Sequence, residues 1–358
     1  MLKKAAALLL VCASLGLFVS CGKTTSHFLY ASIPAASEIV AYREDPASGF
    51  LSVLSVSPIT AGPGVQSLVI HPSKKFLYAA NSGEGDISLF TIASDGALTE
   101  VTPRTPVLPA IGPTLLAMDA AGGFLYVGNS GGSGSISVFS IDPGSGSLSP
   151  VPGSPFTTNI SPLNMKLAPS GNFLYVTGSG SPNGVIEVWS VASGVLENVV
   201  QVSPVGENPY GLATDSKGAF LYTANAAPDN SISEFSINTD GTLTALSSPV
   251  GESFSSPVAL LVDPSDKYLY VANEGSANIA AYSIGTSGGI ALLTNSPFAA
   301  NPNPISLASD PAGKYLFVGD QSSSAAIQSY TLSTSTGTLA SFANTHVGNT
   351  PTSIAITQ

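Results

Sequence analysis

Charge is scarce in this chain. Lys, Arg, Asp and Glu make up 9% of its 358 residues, where an ordinary soluble protein carries roughly 25%. That excludes charged-helix bundles and coiled coils, which need charged outer faces. Basic residues are scarcer still: 11 Lys and Arg stand against 22 Asp and Glu, for a net charge of −11. A nucleic-acid surface needs clustered Lys and Arg, so nucleic acid is not an expected partner. Two Cys and three His leave too few ligands for a four-ligand structural zinc site, and no metal site is expected. Apolar runs long enough to span a bilayer as a helix are missing too. The longest, Ala5 to Val19, falls short of the roughly 20 residues required.

That short run has a different meaning. Met1-Leu2-Lys3-Lys4 is a basic start, and the apolar stretch behind it has the length of a secretory core. The stretch ends Leu17-Phe18-Val19-Ser20-Cys21-Gly22. A small residue directly before Cys resembles the bacterial lipobox, where cleavage precedes the Cys and its thiol carries lipid. The expected organisation is a lipoprotein signal peptide at 1–20, lipidated Cys21 with a short tether at 21–26, and one domain at 27–358. The rival is an ordinary signal peptide with an incidental Cys. Cys12 lies inside the signal, so Cys21 is the mature chain's only Cys and no internal disulfide forms. Two lipid chains exceed the threshold for stable anchoring. The expected address is extracytoplasmic and membrane-bound through Cys21, at the outer membrane in a Gram-negative cell. The acidic body should stand off an anionic leaflet.

What the chain has in abundance is Gly and Pro, 36 and 27 residues, ordered by a repeat. An aromatic-Leu-aromatic phrase begins at Phe28, Phe76, Phe124, Phe173, Phe220, Tyr268 and Tyr315, at intervals of 47 to 49 residues. Each repeat holds four strand signals separated by turn formers such as Asp263-Pro264 and Thr239-Asp240-Gly241. Seven four-stranded units predict an all-β fold, a seven-bladed β-propeller with antiparallel blades. The first repeat lacks its Pro-led strand, and the chain ends on one, Pro351 to Ile356. The C-terminal strand is therefore expected to complete blade one.

Aligned innermost strands give columns. Leu68, Leu116, Met165, Leu212, Leu260, Leu307 and Ile354 form an apolar one, assigned to packing between blades. The next holds Val69, Ala117, Lys166, Ala213, Leu261, Ala308 and Ala355. Gln66, Thr114, Leu163, Tyr210, Val258, Ile305 and Thr352 form another.

The phrase Asp-Pro-x-x-Lys-Tyr-Leu-Tyr-Val-Ala-Asn, Asp263 to Asn273, resembles the YVTN and lactonase seven-bladed propellers, a group that includes 6-phosphogluconolactonase-like proteins. The resemblance covers residues 27–357 and implies the propeller fold. It also implies a site in the central cleft built from His, Arg and acidic side chains. This chain departs from that pattern. Its Arg are Arg43 and Arg104, its His are His27, His71 and His346, and none is expected mid-strand in the inner ring. None of the family's site residues can be carried over by position.

Candidate site residues come from the columns instead. Lys166 is the cation of an otherwise small or apolar column. It either binds an anionic group or polarises a carbonyl, or packs its stem and extends its head to water. Tyr210 and Asn164 are expected near the same mouth, with packing as the alternative for Tyr210. Arg104, expected in a loop entering an inner strand, is a carboxylate or phosphate clamp or a plain surface Arg. Glu84, Asp86, Asp229, Glu274 and Asp320 follow the aromatic phrases, and Glu207 and Glu252 precede inner strands. They are expected to share one electronegative face. The glycine-rich loop Asn129 to Gly134 precedes a strand and lacks the Lys of a P-loop, so it is turn chemistry and no cofactor is expected. Trp189 shares a column with Phe90, Phe139 and Phe235 and belongs to the core.

The expected function is a monomeric, lipid-anchored extracytoplasmic propeller that binds an envelope protein or a small molecule without catalysis. The alternative is a lactone hydrolase like the enzymatic members of the resembled group, with Lys166, Arg104 and a rim acid as a rebuilt site. A third reading is an envelope scaffold.

Overall fold

A computed structural model describes residues 26–357 apart from 180–182, 248–249, 252–253 and 323, with the side chains of 199–204 also left aside. The signal peptide, Cys21 and Glu252 lie outside the described residues. These residues form seven antiparallel sheets, with no helix among them. Each sheet runs from an inner strand outward, as in blade two: Val65–Ile70, Phe76–Asn81, Asp86–Ile92, Leu98–Pro106. The inner strands of the other complete repeats are Pro113–Met118, Pro162–Leu167, Pro209–Thr214, Pro257–Val262 and Pro304–Ser309. Pro leads each of these five because its missing N–H is not needed there.

The seventh inner strand is C-terminal. Ser353–Ile356 pairs with His27–Ile33, in register Leu29 with Ile356 and Ala31 with Ile354. Beyond the ladder, Phe28 N donates to Thr357 Oγ1 and Thr357 N to the Phe28 carbonyl, both at 2.9 Å. The ring thus closes inside blade one and leaves neither edge of the seam bare.

The repeated phrase is explained by what it packs against. In five blades its third residue is a buried Tyr that reaches the next blade's turn between third and fourth strands. Tyr30, Tyr78, Tyr175, Tyr222 and Tyr270 donate to the carbonyls of Gly96, Gly146, Gly241, Gly288 and Gly337. The leading aromatic lies against that same glycine, as Phe76 does on Gly146 and Phe173 on Gly241. Each of these turn glycines has positive φ, the region where a side chain is strained. In five blades one polar and one apolar contact therefore tie each blade to the next. The core is shared in the same way: Tyr30 and Ala41 of blade one cluster with Leu77, Phe90 and Leu98 of blade two. Tyr315 and Phe317 of blade seven cluster with Leu29, Tyr42 and Ile354 of blade one. Each fully buried Leu or Phe contributes about 1.5–3 kcal/mol.

Outer strands differ among blades. In blade two the strand Leu98–Pro106 is continuous, whereas in blades one, three, five and six the outer edge is split in two. In blades one, three and six Ser57, Ser154 and Ser296, each before a Pro, accept from the N–H of Ala41, Val138 and Ala281. The hydroxyl replaces a ladder carbonyl at the break.

Candidate functional site

Inner strands of neighbouring blades diverge too far to form a ladder, so side chains join them around a central channel. Leu116 N donates to Ser67 Oγ, and Leu68 N to Ser353 Oγ. Thr352 Oγ1 donates to the Gln66 carbonyl at 2.8 Å. Between blades four and five, Asn164 Nδ2 donates to the Tyr210 carbonyl at 2.6 Å, while Asn164 Oδ1 accepts from Met165 N. Asn164 is therefore pinned, and Tyr210, 42% exposed, projects from the neighbouring strand.

At the mouth where inner strands begin lies a cavity of about 880 Å³. All seven second-position residues line it: Gln66, Thr114, Leu163, Tyr210, Val258, Ile305 and Thr352. The rim comes from loops after the aromatic phrases, with Ser130, Ala226, Glu274 and Gln321, and from Asn208 and Ser256 ahead of inner strands.

One device positions that rim. Gly64, Gly112, Asn208, Ser256 and Asn303, each just before an inner strand, have φ between 50° and 69°. Their carbonyls accept from the N–H of Ser82, Ser130, Ala226, Glu274 and Gln321. Glu274, held at 2.8 Å from Ser256 in this way, is the charged member of its column. Its carboxylate has no partner among the described residues, and with Tyr210 it supplies the titratable side chains of this wall. No Lys, Arg or His among the described residues lines it.

Lys166 sits elsewhere. It lines a second cavity of about 650 Å³ in the far half of the channel, with Leu68, Val69, Leu116, Leu212, Thr214 and Asp215. Tyr210 is second in its strand and Lys166 fifth in its own. Three residues at roughly 3.3 Å each put them about 10 Å apart along the channel. The sequence placed them at one mouth; the structure brings Tyr210, Asn164 and Glu274 together and leaves Lys166 on the other side of the apolar ring. Its side chain is exposed to the lumen, yet the walls crowd it, and that desolvation holds its ammonium below the usual lysine range.

Arg104 is also displaced from its expected place. It belongs to the outer strand Leu98–Pro106, where Nε donates to Glu100 at 2.7 Å and Nη1 to Glu84 at 2.8 Å. It lines neither cavity. The reason is the continuity of blade two's outer strand, which occupies residues that other blades spend on a break. Beside it, burial pushes the Asp86 carboxyl up, opposed by the Asn81 hydrogen bond and by Arg104.

Other expected site residues are structural. Asp320 is buried and accepts from Ser322, Ala326 N and Asn301. Asp229 accepts from Glu207 N at 2.6 Å. His71 links blades by contacting Ser73 Oγ and the Gly122 carbonyl. His27 contacts buried Glu44 at 2.8 Å. His346 ends an outer strand. Trp189 is core, its indole N–H on Glu187. No three His, Cys, Asp or Glu among the described residues gather as metal ligands. The described residues hold no helix long and apolar enough to cross a membrane.

Comparison with known proteins adds a family. The profile described as lactonase, 7-bladed beta-propeller matches residues 18–114, 110–208, 149–260, 181–296 and 251–356. Among solved structures, a Bacteroides fragilis protein provisionally assigned as a 6-phosphogluconolactonase superposes with TM-score 0.79 at 19% identity, over 94% of this chain and 99% of that one. The periplasmic gluconolactonase of Pseudomonas aeruginosa gives 0.78 at 19%, over 92% and 98%. A Lactobacillus plantarum protein gives 0.78 at 17%, over 92% and 99%. At such identities these likenesses carry the fold. No functionally curated protein matches the chain.

Proposed function

The chain belongs to the lactonase family of seven-bladed β-propellers, and from that premise we propose that it hydrolyses uncharged sugar lactones at the 880 Å³ mouth of its channel. One observation carries the reading. Among the described residues a single free carboxylate, Glu274, stands on a wall of neutral amides and hydroxyls that includes Gln66, Thr114, Asn164, Asn208 and Gln321. Such a wall can hold a polyhydroxy ring through neutral hydrogen bonds.

Glu274 takes a proton from water, and the oxygen attacks the lactone carbonyl carbon. The tetrahedral intermediate collapses with cleavage of the ring C–O bond. Glu274 returns its proton to the ring oxygen, which leaves as a hydroxyl; a hydroxy acid is released and the Glu274 carboxylate is restored. The Tyr210 hydroxyl is the donor for the oxygen that gains charge.

That no His or Arg among the described residues lines this wall favours binding without chemistry. The family match and the unpaired carboxylate weigh for hydrolysis. The likeness to a periplasmic gluconolactonase supports a neutral substrate. A phosphorylated lactone would meet no Lys, Arg or His among the described residues of this wall, and phosphate recognition rests on such groups. For the address, the sequence of residues 1–22 supports an extracytoplasmic enzyme anchored by lipid at Cys21. Purified protein is expected to open glucono-δ-lactone faster than solvent does. A folded preparation that leaves the spontaneous rate unchanged overturns the reading.

A further inference from the structure

The lysines are not scattered. Among the described residues there are six, and five of them, Lys74, Lys75, Lys217, Lys267 and Lys314, occupy turns between first and second strands. These turns surround the mouth opposite Glu274, and all five side chains are exposed. The sixth, Lys166, lies inside that same half of the channel.

Aspartates share these turns, but their carboxylates are drawn inward by hydrogen bonds. Asp215, Asp263 and Asp310 are only 2–3% exposed. Their carboxylates accept from the N–H of Phe220, Tyr268 and Tyr315 at 2.7 Å. Asp119 accepts from Phe124 N, and Asp266 from Ser216. The cations face solvent while the anions are turned into the backbone, so this rim draws anions locally although the whole chain carries −11. Beyond a Debye length of about 8 Å the remaining acids are largely screened.

Inside, Lys166 has no acid and no hydrogen-bond acceptor among the described residues. Asp215, the other charged residue of its cavity, is already committed to the turn. We propose that the far half of the channel is a second binding site, for a small organic carboxylate, with Lys166 as the counter-ion. One lysine matches a monoanion; a phosphate dianion calls for further cations or an Arg fork. The wall pairs hydroxyls of Ser67, Thr214 and Ser353 with aliphatic Leu68, Leu116 and Leu212. It suits either a polyhydroxy acid or a short alkyl acid.

The test is calorimetric titration with sodium gluconate and sodium hexanoate, with glucitol and hexanol as uncharged controls. At least one carboxylate is expected to bind one-to-one while its uncharged counterpart does not. Lys166→Gln and Lys166→Met should each weaken it about tenfold or more, as loss of a charge-assisted bond implies. Lys166→Arg, the folding control that keeps the charge, should retain binding. Glu274→Gln should bind unchanged, which separates this site from the hydrolytic reading. Binding indifferent to the charge at 166, or none of either carboxylate at about 10 mM, overturns the proposal.

Discussion

The hydroxyl of Tyr78 in blade two donates at 2.7 Å to the carbonyl of Gly146, which belongs to a turn of blade three. The same glycine lies under the ring of Phe76: a Cβ there would sit 2.8 Å from Phe76 Cδ1. Two residues of one phrase thus read one glycine of the next blade. Five blades use the Tyr bond. In blade seven Phe317 has no hydroxyl, and Tyr315 bonds the Ala47 carbonyl of blade one instead.

Blade three is the exception, and it supplies a control. The Tyr126 hydroxyl is buried without a partner among the described residues. The facing turn in blade four is a tight hairpin through Ser193 and Gly194, both at positive φ, closed by Ala192 opposite Val195. It is shorter than the turns that present a carbonyl. Tyr78→Phe should cost about 1–2 kcal/mol, because it strands a buried carbonyl. Tyr126→Phe should be neutral or stabilising. Chemical denaturation of both variants checks the contrast, and equal costs would remove the role assigned to the hydroxyl.

Gly146 itself should not tolerate alanine. Its φ of 75° strains a side chain, and the added methyl meets the Phe76 ring. Gly146→Ala is expected to lose roughly 2–3 kcal/mol. Gly132, also at positive φ, has nothing within 4 Å of the Cβ position. Gly132→Ala should lose only the backbone share, about 1 kcal/mol, and melting curves of the two separate strain from contact.

The phrase, its interval and the missing first strand made the seven-bladed ring and its C-terminal closure legible from residues alone. So was the channel's second-position column, since every one of its seven members lines the first cavity. Depth along the channel was not legible for Lys166. A column says which side chains share a level, and Lys166 lies three levels from Tyr210. Arg104 was misplaced for another reason. Strand length at the outer edge depends on whether a Ser-Pro pair interrupts the ladder, and blade two runs on through Pro103. Glu274, one of the acids expected after the aromatic phrases, carries a sharper signal in its column: the other blades hold Pro34, Ser82, Ser130, Ser179, Ala226 and Gln321 there.

A buried acid far from the channel sets a pH dependence. Glu234 is 3% exposed and stands in the column of Leu89, Val138, Val188 and Ala281. Burial pushes its carboxyl above the usual glutamate range, against hydrogen bonds from Ile290 and Ser247. Between the ordinary carboxyl range and this raised value, the folded state holds more protons than the unfolded one. Stability from this group therefore falls as pH rises through that window. Glu234→Gln should melt like wild type near pH 4 and above it at pH 8. A difference that does not change with pH would refute the assignment.

Hydrolysis at the wide mouth divides its work between two residues whose losses should look different. Glu274 acts on water, which matters only when the bond is made, so Glu274→Gln should lower kcat for glucono-δ-lactone about 10²–10⁴-fold and leave KM nearly unchanged. Tyr210 is placed to touch the lactone before and during the reaction, so Tyr210→Phe should change both constants by less, each within about tenfold. Gln321 holds no charge and reaches only the rim, fixed by its backbone bond to Asn303 at 2.9 Å. Gln321→Ala should raise KM alone. A Glu274→Gln enzyme with wild-type kcat would move the general base elsewhere on the wall, and no other carboxylate among the described residues lines that cavity to take its place.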